Sequence, residues 1–233
     1  MKARTALATA IAAAFTCGSF IVLAEELPTT AEEQKALTPD AVLKELMDGN
    51  KRFQAGKLSD PNVVKSIKAA SSGQFPKAVI LSCLDSRVPV EQVFDQGIGD
   101  IFVGRVAGNI ENGDQLGSME FGTKVAGAKL IMVLGHEACG AVKGACDGVE
   151  LGNITGLLAN IQPAVDAVEG IPEDKRNSKN PEFVEKVVAE NVRLTVADIR
   201  KRSELLSKME EAGEIKIVGA VYSLKDGSVT LLD

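Results

Sequence analysis

The 233-residue chain predicts an α/β fold with a mainly parallel central β-sheet flanked by helices. Three observations carry that expectation. Short apolar runs occur without the polar alternation of a half-exposed strand, helical periodicity fills the stretches between them, and residues with reactive side chains stand at the ends of the runs.

Taken in order, residues 25–37 are polar and acidic and read as a flexible lead-in. Thr38-Pro39-Asp40 opens a helix with proline near its first position. Val42, Leu43, Leu46, Met47 and Phe53 then recur at helical spacing through 40–55, and a weaker helix fits 61–71. The run from Lys77 to Cys83 is a strand buried on both faces, followed by others at Ile101–Val103, Leu130–Leu134 and Ile215–Tyr222, with a short fifth at Ser228–Leu231. Helical patterns cover 114–127, 139–146, 151–168 and 181–208, and a Pro/Asn/Lys-rich break at 171–181 reads as a surface loop.

The first residues stand apart. Lys2 and Arg4 precede an uncharged, Ala-rich stretch from Thr5 to Leu23, and Val22-Leu23-Ala24 offers small or compact residues before Glu25. Residues 1–24 are therefore expected to be a secretory signal removed before Glu25, placing a single domain, 25–233, in a periplasm with no membrane attachment after cleavage. The competing reading is an uncleaved anchor, since the run approaches the lower length for a span. The net charge of −6 becomes −6 − 2 = −8 once Lys2 and Arg4 are gone. An acidic surface argues against nucleic-acid binding, and the Lys/Arg cluster at 193–208 is interleaved with Glu and Asp, as on a solvated helix face.

Export implies an oxidising compartment, yet losing Cys17 leaves an odd set, Cys83, Cys139 and Cys146. Either one thiol is free beside a disulfide, or some of them bind metal. Cys83 ends the first strand, Gly135-His136 ends the third, and Cys139 follows one turn later, so all three fall beyond the carboxyl ends of strands, where sites gather in such sheets. Two thiolates and an imidazole suit zinc, and three protein ligands leave a fourth position for a water whose pKa the ion brings towards neutrality. Asp85 and Arg87 share the face of Cys83 in extended chain. The bland alternatives are a Cys83–Cys139 disulfide, a structural role for the sole histidine, and an ordinary Asp85–Arg87 ion pair. A Cys139–Cys146 disulfide would exclude metal, and Cys146 reads as a buried structural thiol. Gly108 and Gly140 are expected to permit close backbone approach.

Cys83-Leu-Asp85-Ser-Arg87, followed downstream by His136-Glu-Ala-Cys139, resembles the β-class carbonic anhydrases. Gly49-Asn50-Lys51-Arg52-Phe53, Arg105-Val-Ala-Gly-Asn109 and Ser118-Met-Glu-Phe extend the resemblance over nearly the whole mature chain. The resemblance implies a zinc ion (Zn2+) on Cys83, His136 and Cys139, with Asp85 and Arg87 as the catalytic pair and Arg105 and Asn109 in support. It implies a zinc-dependent lyase that reversibly hydrates carbon dioxide to bicarbonate and a proton, working as a homo-oligomer, a dimer or tetramer, with N-terminal helices packed across the interface. In some members the aspartate leaves its arginine and closes onto the metal at lower pH. A carbonyl sulfide or carbon disulfide hydrolase on the same fold, or a non-catalytic zinc module, is the alternative. A disulfide oxidoreductase would need a C-x-x-C motif, which the chain lacks.

Overall fold

A computed structural model describes residues 29–59 and 63–233; the expected signal segment, 1–24, lies outside the described residues. Five strands, β1 (Ala78–Ser82), β2 (Ile101–Arg105), β3 (Leu130–His136), β4 (Lys216–Tyr222) and β5 (Val229–Leu232), form one sheet in the order β2-β1-β3-β4-β5. Every pairing is parallel except β4 with β5, which a short hairpin makes antiparallel. All five residues of β1 and all seven of β3 are buried.

Burial on both faces follows from the two-residue period of a strand. Ala78 and Ile80 of β1 and Leu130, Met132 and Leu134 of β3 face one core, which Val42 and Leu46 complete from helix α2 (Pro39–Gln54). Val79, Leu81, Ile131 and Val133 point the other way, onto α5 (Gly113–Glu120), α9 (Pro181–Arg202) and α10 (Glu204–Glu211). A third cluster around Cys83 and Cys139 draws on α6 (Gly140–Cys146), α7 (Gly152–Leu158), α8 (Gln162–Ala167) and α9. Helices α1 (Ala31–Ala36), α3 (Val63–Ala70) and α4 (Val90–Val93) are the remaining α-helices among the described residues.

Four local expectations are corrected. The acidic lead-in contains α1, started by a capping box in which the Thr30 hydroxyl accepts from Glu33 N–H while the Glu33 carboxylate accepts from Thr30 N–H. The stretch 151–168 is two helices, because Pro163 has no N–H for the Ala159 carbonyl and its ring would strike it; the chain restarts at Gln162. The stretch 181–208 breaks at Ser203, whose extended backbone lets its hydroxyl accept from Leu206 N–H and donate to Glu120 at 2.6 Å, ending α9 and capping α10 together. The helix expected over 114–127 starts at Gly113, where Asn112 caps it, and passes into a π-helical turn at Phe121–Val125.

The Gly49–Phe53 motif holds the far side of the sheet to the hairpin. Asn50 donates to the carbonyls of Val93 and Gly227 and accepts from Val229 N–H, and Arg52 meets Asp95 at 2.5 Å. A Cβ on Gly49 would lie 1.9 Å from the Phe94 carbonyl oxygen. Alanine would gain about 1 kcal/mol of helix propensity there, less than the cost of driving two backbones apart. Gly49→Ala is thus expected to lower the unfolding free energy by about 3 kcal/mol, read from urea denaturation. A variant as stable as the parent would show that α2 and α4 are not held this close.

Candidate metal centre

Parallel registry builds the site. Ser82 pairs with Leu134 across β1 and β3, so the residues that follow each strand leave the sheet side by side. Cys83 is the first residue past β1, His136 the last of β3, and Cys139 the N-cap of α6. The three side chains are buried, and their ligand atoms all lie within 4.8 Å of one another. The two sulfurs are 3.9 Å apart, and Cys83, Cys139 and Cys146 are all free thiols, so neither alternative disulfide forms.

The donor set fits a tetrahedral ion. Two sulfurs each about 2.3 Å from such an ion stand about 3.8 Å apart, which the observed spacing matches. His136 Nδ1 lies 2.8 Å from the Glu137 carbonyl oxygen, which can only accept; Nδ1 therefore carries the proton and Nε2 the lone pair. That Nε2 is buried and has no hydrogen-bond partner. An orphaned imidazole nitrogen facing two thiols is costly unless an electrophile takes its lone pair. Each thiol perturbs the other: contact with Cys139 favours ionisation of Cys83 against the penalty of burial, with the Gly108 N–H (3.3 Å) assisting, and contact with Cys83 together with burial holds Cys139 protonated. One negative charge is readily held between them, and a cation is what would allow two.

Asp85 and Arg87 stand at the edge of this cluster. Arg87 donates to Asp85 through Nε at 2.9 Å, Nη2 at 2.7 Å and its backbone N–H at 2.9 Å. This fork holds the Asp85 carboxyl well below the usual carboxylate range, against the modest penalty of its burial. Asp85 Oδ2 is also 3.7 Å from His136 Nε2, so a carboxylate engaged with its arginine still faces the point where the ligand atoms converge.

Arg105, at the end of β2, donates to the carbonyls of Cys83 at 3.0 Å and Asp85 at 2.5 Å, pinning the loop that carries both. Asn109 is buried in a left-handed turn, with φ of 44°. Gly108 sits at φ 76°, where a side chain would be strained, and a Cβ there would come within 2.5 Å of Ile161 Cδ1 and force it to shift. Gly140 differs from expectation: open space surrounds its Cα, so no close approach requires it there. Cys146 also differs, being half-buried rather than buried; burial still pushes its thiol up to about 11, and it takes no part in the cluster. The carbonyl of Glu137 and the amide of Gly108 were not singled out in the sequence, because main-chain groups leave no residue-type signal.

Residues 78–229 match a family model described as carbonic anhydrase. Carbonic anhydrase 2 of Mycobacterium tuberculosis (strain CDC 1551 / Oshkosh) is 39% identical over 203 residues, covering 84% of this chain and 93% of its own length. The carbonic anhydrase of Mycolicibacterium smegmatis is 38% identical over 195 residues, covering 83% and 93%. Among solved structures, the β-carbonic anhydrase CcaA superposes with a TM-score of 0.62 at 25% identity, over 82% of this chain and 95% of that one. A tetrameric β-carbonic anhydrase of Sordaria macrospora shares the fold at the same TM-score and 21% identity, over 79% and 90%.

Arg105→Ala would leave two carbonyls without their charged donor, at an expected cost of about 2–3 kcal/mol in urea unfolding. Arg105→Lys should recover part of that, since an ammonium cannot reproduce the planar fork. Equal stability of all three proteins would remove Arg105 from the support of the site.

Proposed function

The chain belongs to the β-class carbonic anhydrase family, and from that premise we propose that Cys83, His136 and Cys139 hold a zinc ion beside which Asp85 and Arg87 act. The reaction is the reversible hydration of carbon dioxide to bicarbonate and a proton, and the enzyme is a lyase of the carbonate dehydratase type. The observation that carries the site assignment is the buried, unpartnered Nε2 of His136 within reach of two free thiols.

When bound, zinc supplies the Lewis acidity that brings the pKa of a water towards neutrality. The chain's own residues do the rest. Arg87 keeps Asp85 ionised and turned towards the cluster, so its carboxylate accepts a hydrogen bond from the attacking water and orients a lone pair at the carbon. Engaged by Arg87, the Asp85 carboxylate is held 3.7 Å from His136 Nε2, close enough to orient a water yet committed to the arginine. The proton released from the water must then leave a site whose only histidine is fully buried. Export of that proton therefore falls to Asp85, ordered water and external buffer.

The protein acts as a homo-oligomer, a dimer or a tetramer. Two surfaces support this: Val63, Val64 and Ile67 are exposed together on α3, and the outer edge of β2 borders a cleft of about 760 Å³ lined by Phe102, Gln115 and Phe121. Apolar edge strands are normally covered. Light scattering of the purified protein decides the assembly, and a monomer at micromolar concentration would overturn it. Export to the periplasm rests on the charge and apolar pattern of residues 1–24; the secreted protein should begin at Glu25 by mass spectrometry, and an intact Met1 or a cytoplasmic location would contradict this.

Purified mature protein is expected to hydrate carbon dioxide with one zinc per chain. Asp85→Ala should keep the metal and lose about a hundredfold or more in kcat, the scale of removing one positioned polar group from a reacting centre. Full activity in that variant, or activity without zinc, would contradict the assignment. Turnover should also rise with buffer concentration; a rate independent of buffer, with hydration shown not to limit, would place the proton route elsewhere.

A further inference from the structure

Glu137 lies between two of the metal-binding side chains and is tied down more heavily than a loop residue needs to be. Its backbone N–H donates to the Tyr222 carbonyl at 3.0 Å, continuing the β3–β4 ladder one residue beyond the His136–Tyr222 pair. Its carboxylate accepts from Leu224 N–H at 3.0 Å and the Ser223 hydroxyl at 3.2 Å, with Lys225 Nζ at 3.3 Å. Its carbonyl oxygen accepts a hydrogen bond from His136 Nδ1 at 2.8 Å. The next residue, Ala138, is held at φ 52°, a left-handed conformation that strains a non-glycine residue and must be imposed by neighbours.

The hairpin that receives the carboxylate is itself anchored. Residues 223–228 close on themselves through Ser223 and Ser228, and Asn50 of α2 grips the Gly227 carbonyl and the Val229 N–H. A continuous chain of hydrogen bonds therefore runs from α2 through the hairpin and the Glu137 side chain to the peptide that sets the ring plane of His136.

We propose that Glu137 is a positioning residue, which fixes the His136 imidazole for metal binding by clamping the 136–139 loop to the 223–228 hairpin. It acts through His136 and not at the reacting atoms: its carboxylate is committed to the hairpin, and the carbonyl alone touches the histidine. The proposal rests on the reading of His136 as a metal ligand. It predicts that the carboxylate's role is to accept two hydrogen bonds, so an uncharged acceptor of the same length can replace it.

The test is zinc affinity by chelator competition and the visible spectrum after cobalt substitution, on full-length mature protein. Glu137→Ala is expected to bind zinc about 10- to 100-fold more weakly, the effect of removing an outer partner of a metal-binding histidine, with a shifted cobalt spectrum. Glu137→Gln should stay within about threefold of the parent, because its amide oxygen still accepts from Leu224 and Ser223. A merely structural loss lowers unfolding free energy yet leaves the affinity of the overwhelmingly folded population unchanged, so these readouts separate the two roles. Parent-like affinity and spectrum in Glu137→Ala would overturn the proposal. Should that variant not fold, Ser223→Ala takes its place, with an expected loss of about five- to tenfold and the same overturning result if affinity stays within about threefold of the parent. A parent protein that binds no zinc, or binds it equally well as His136→Ala, would instead defeat the ligand reading beneath it.

Discussion

The parallel register between β1 and β3 decides where the two halves of the site meet. Cys83 and Cys139 are 56 positions apart in sequence, yet pairing Ser82 with Leu134 delivers both sulfurs to one spot at the carboxyl end of adjacent strands. A slip of one residue would turn every strand side chain to the opposite face and carry Cys83 away from His136. The two-sided core forbids that slip, because Ala78 and Ile80 fit one layer of helices and Val79 and Leu81 the other. The candidate metal centre is thus specified by apolar packing several residues away from it.

Charge at the site is arranged in layers. Two arginines serve one short segment, and they do different work. Arg105 donates to the carbonyls of residues 83 and 85 and fixes the path of the chain; Arg87 donates to the Asp85 carboxylate and fixes the direction of the side chain. Because guanidinium groups are planar, both arginines present donors in a fixed fork, which an ammonium on a flexible stem would not. The thiols, by contrast, would have to give up a proton for an ion to bind, so the flexible chemistry sits inside a rigid frame.

Much of this was legible in the sequence because the signals were local. Continuous apolar runs marked four strands and the hairpin strand to within a residue or two, and the clustering of Cys, His and Cys at strand exits pointed to the metal group. What escaped was of two kinds. The breaks at Pro163 and Ser203 left written marks, a proline and a capping serine, but an apolar period continuing across them outweighed those marks. The roles of the Glu137 carbonyl, the Gly108 amide and the Asn50 side chain left none, since each depends on a partner distant in sequence or on main-chain atoms that every residue shares. Gly140 illustrates the opposite error, a glycine with no contact to explain it.

The 3.9 Å between the two sulfurs has a redox meaning as well as a coordinating one. A disulfide forms when such a pair closes to about 2.05 Å, and the buried pair already holds one sulfur readily ionised beside a protonated neighbour. In an oxidising compartment, the site without its ion would be exposed to a competing reaction that consumes both sulfur ligands at once. A cation held by both sulfurs would then act as a protecting group for the thiols, over and above any part it takes in chemistry.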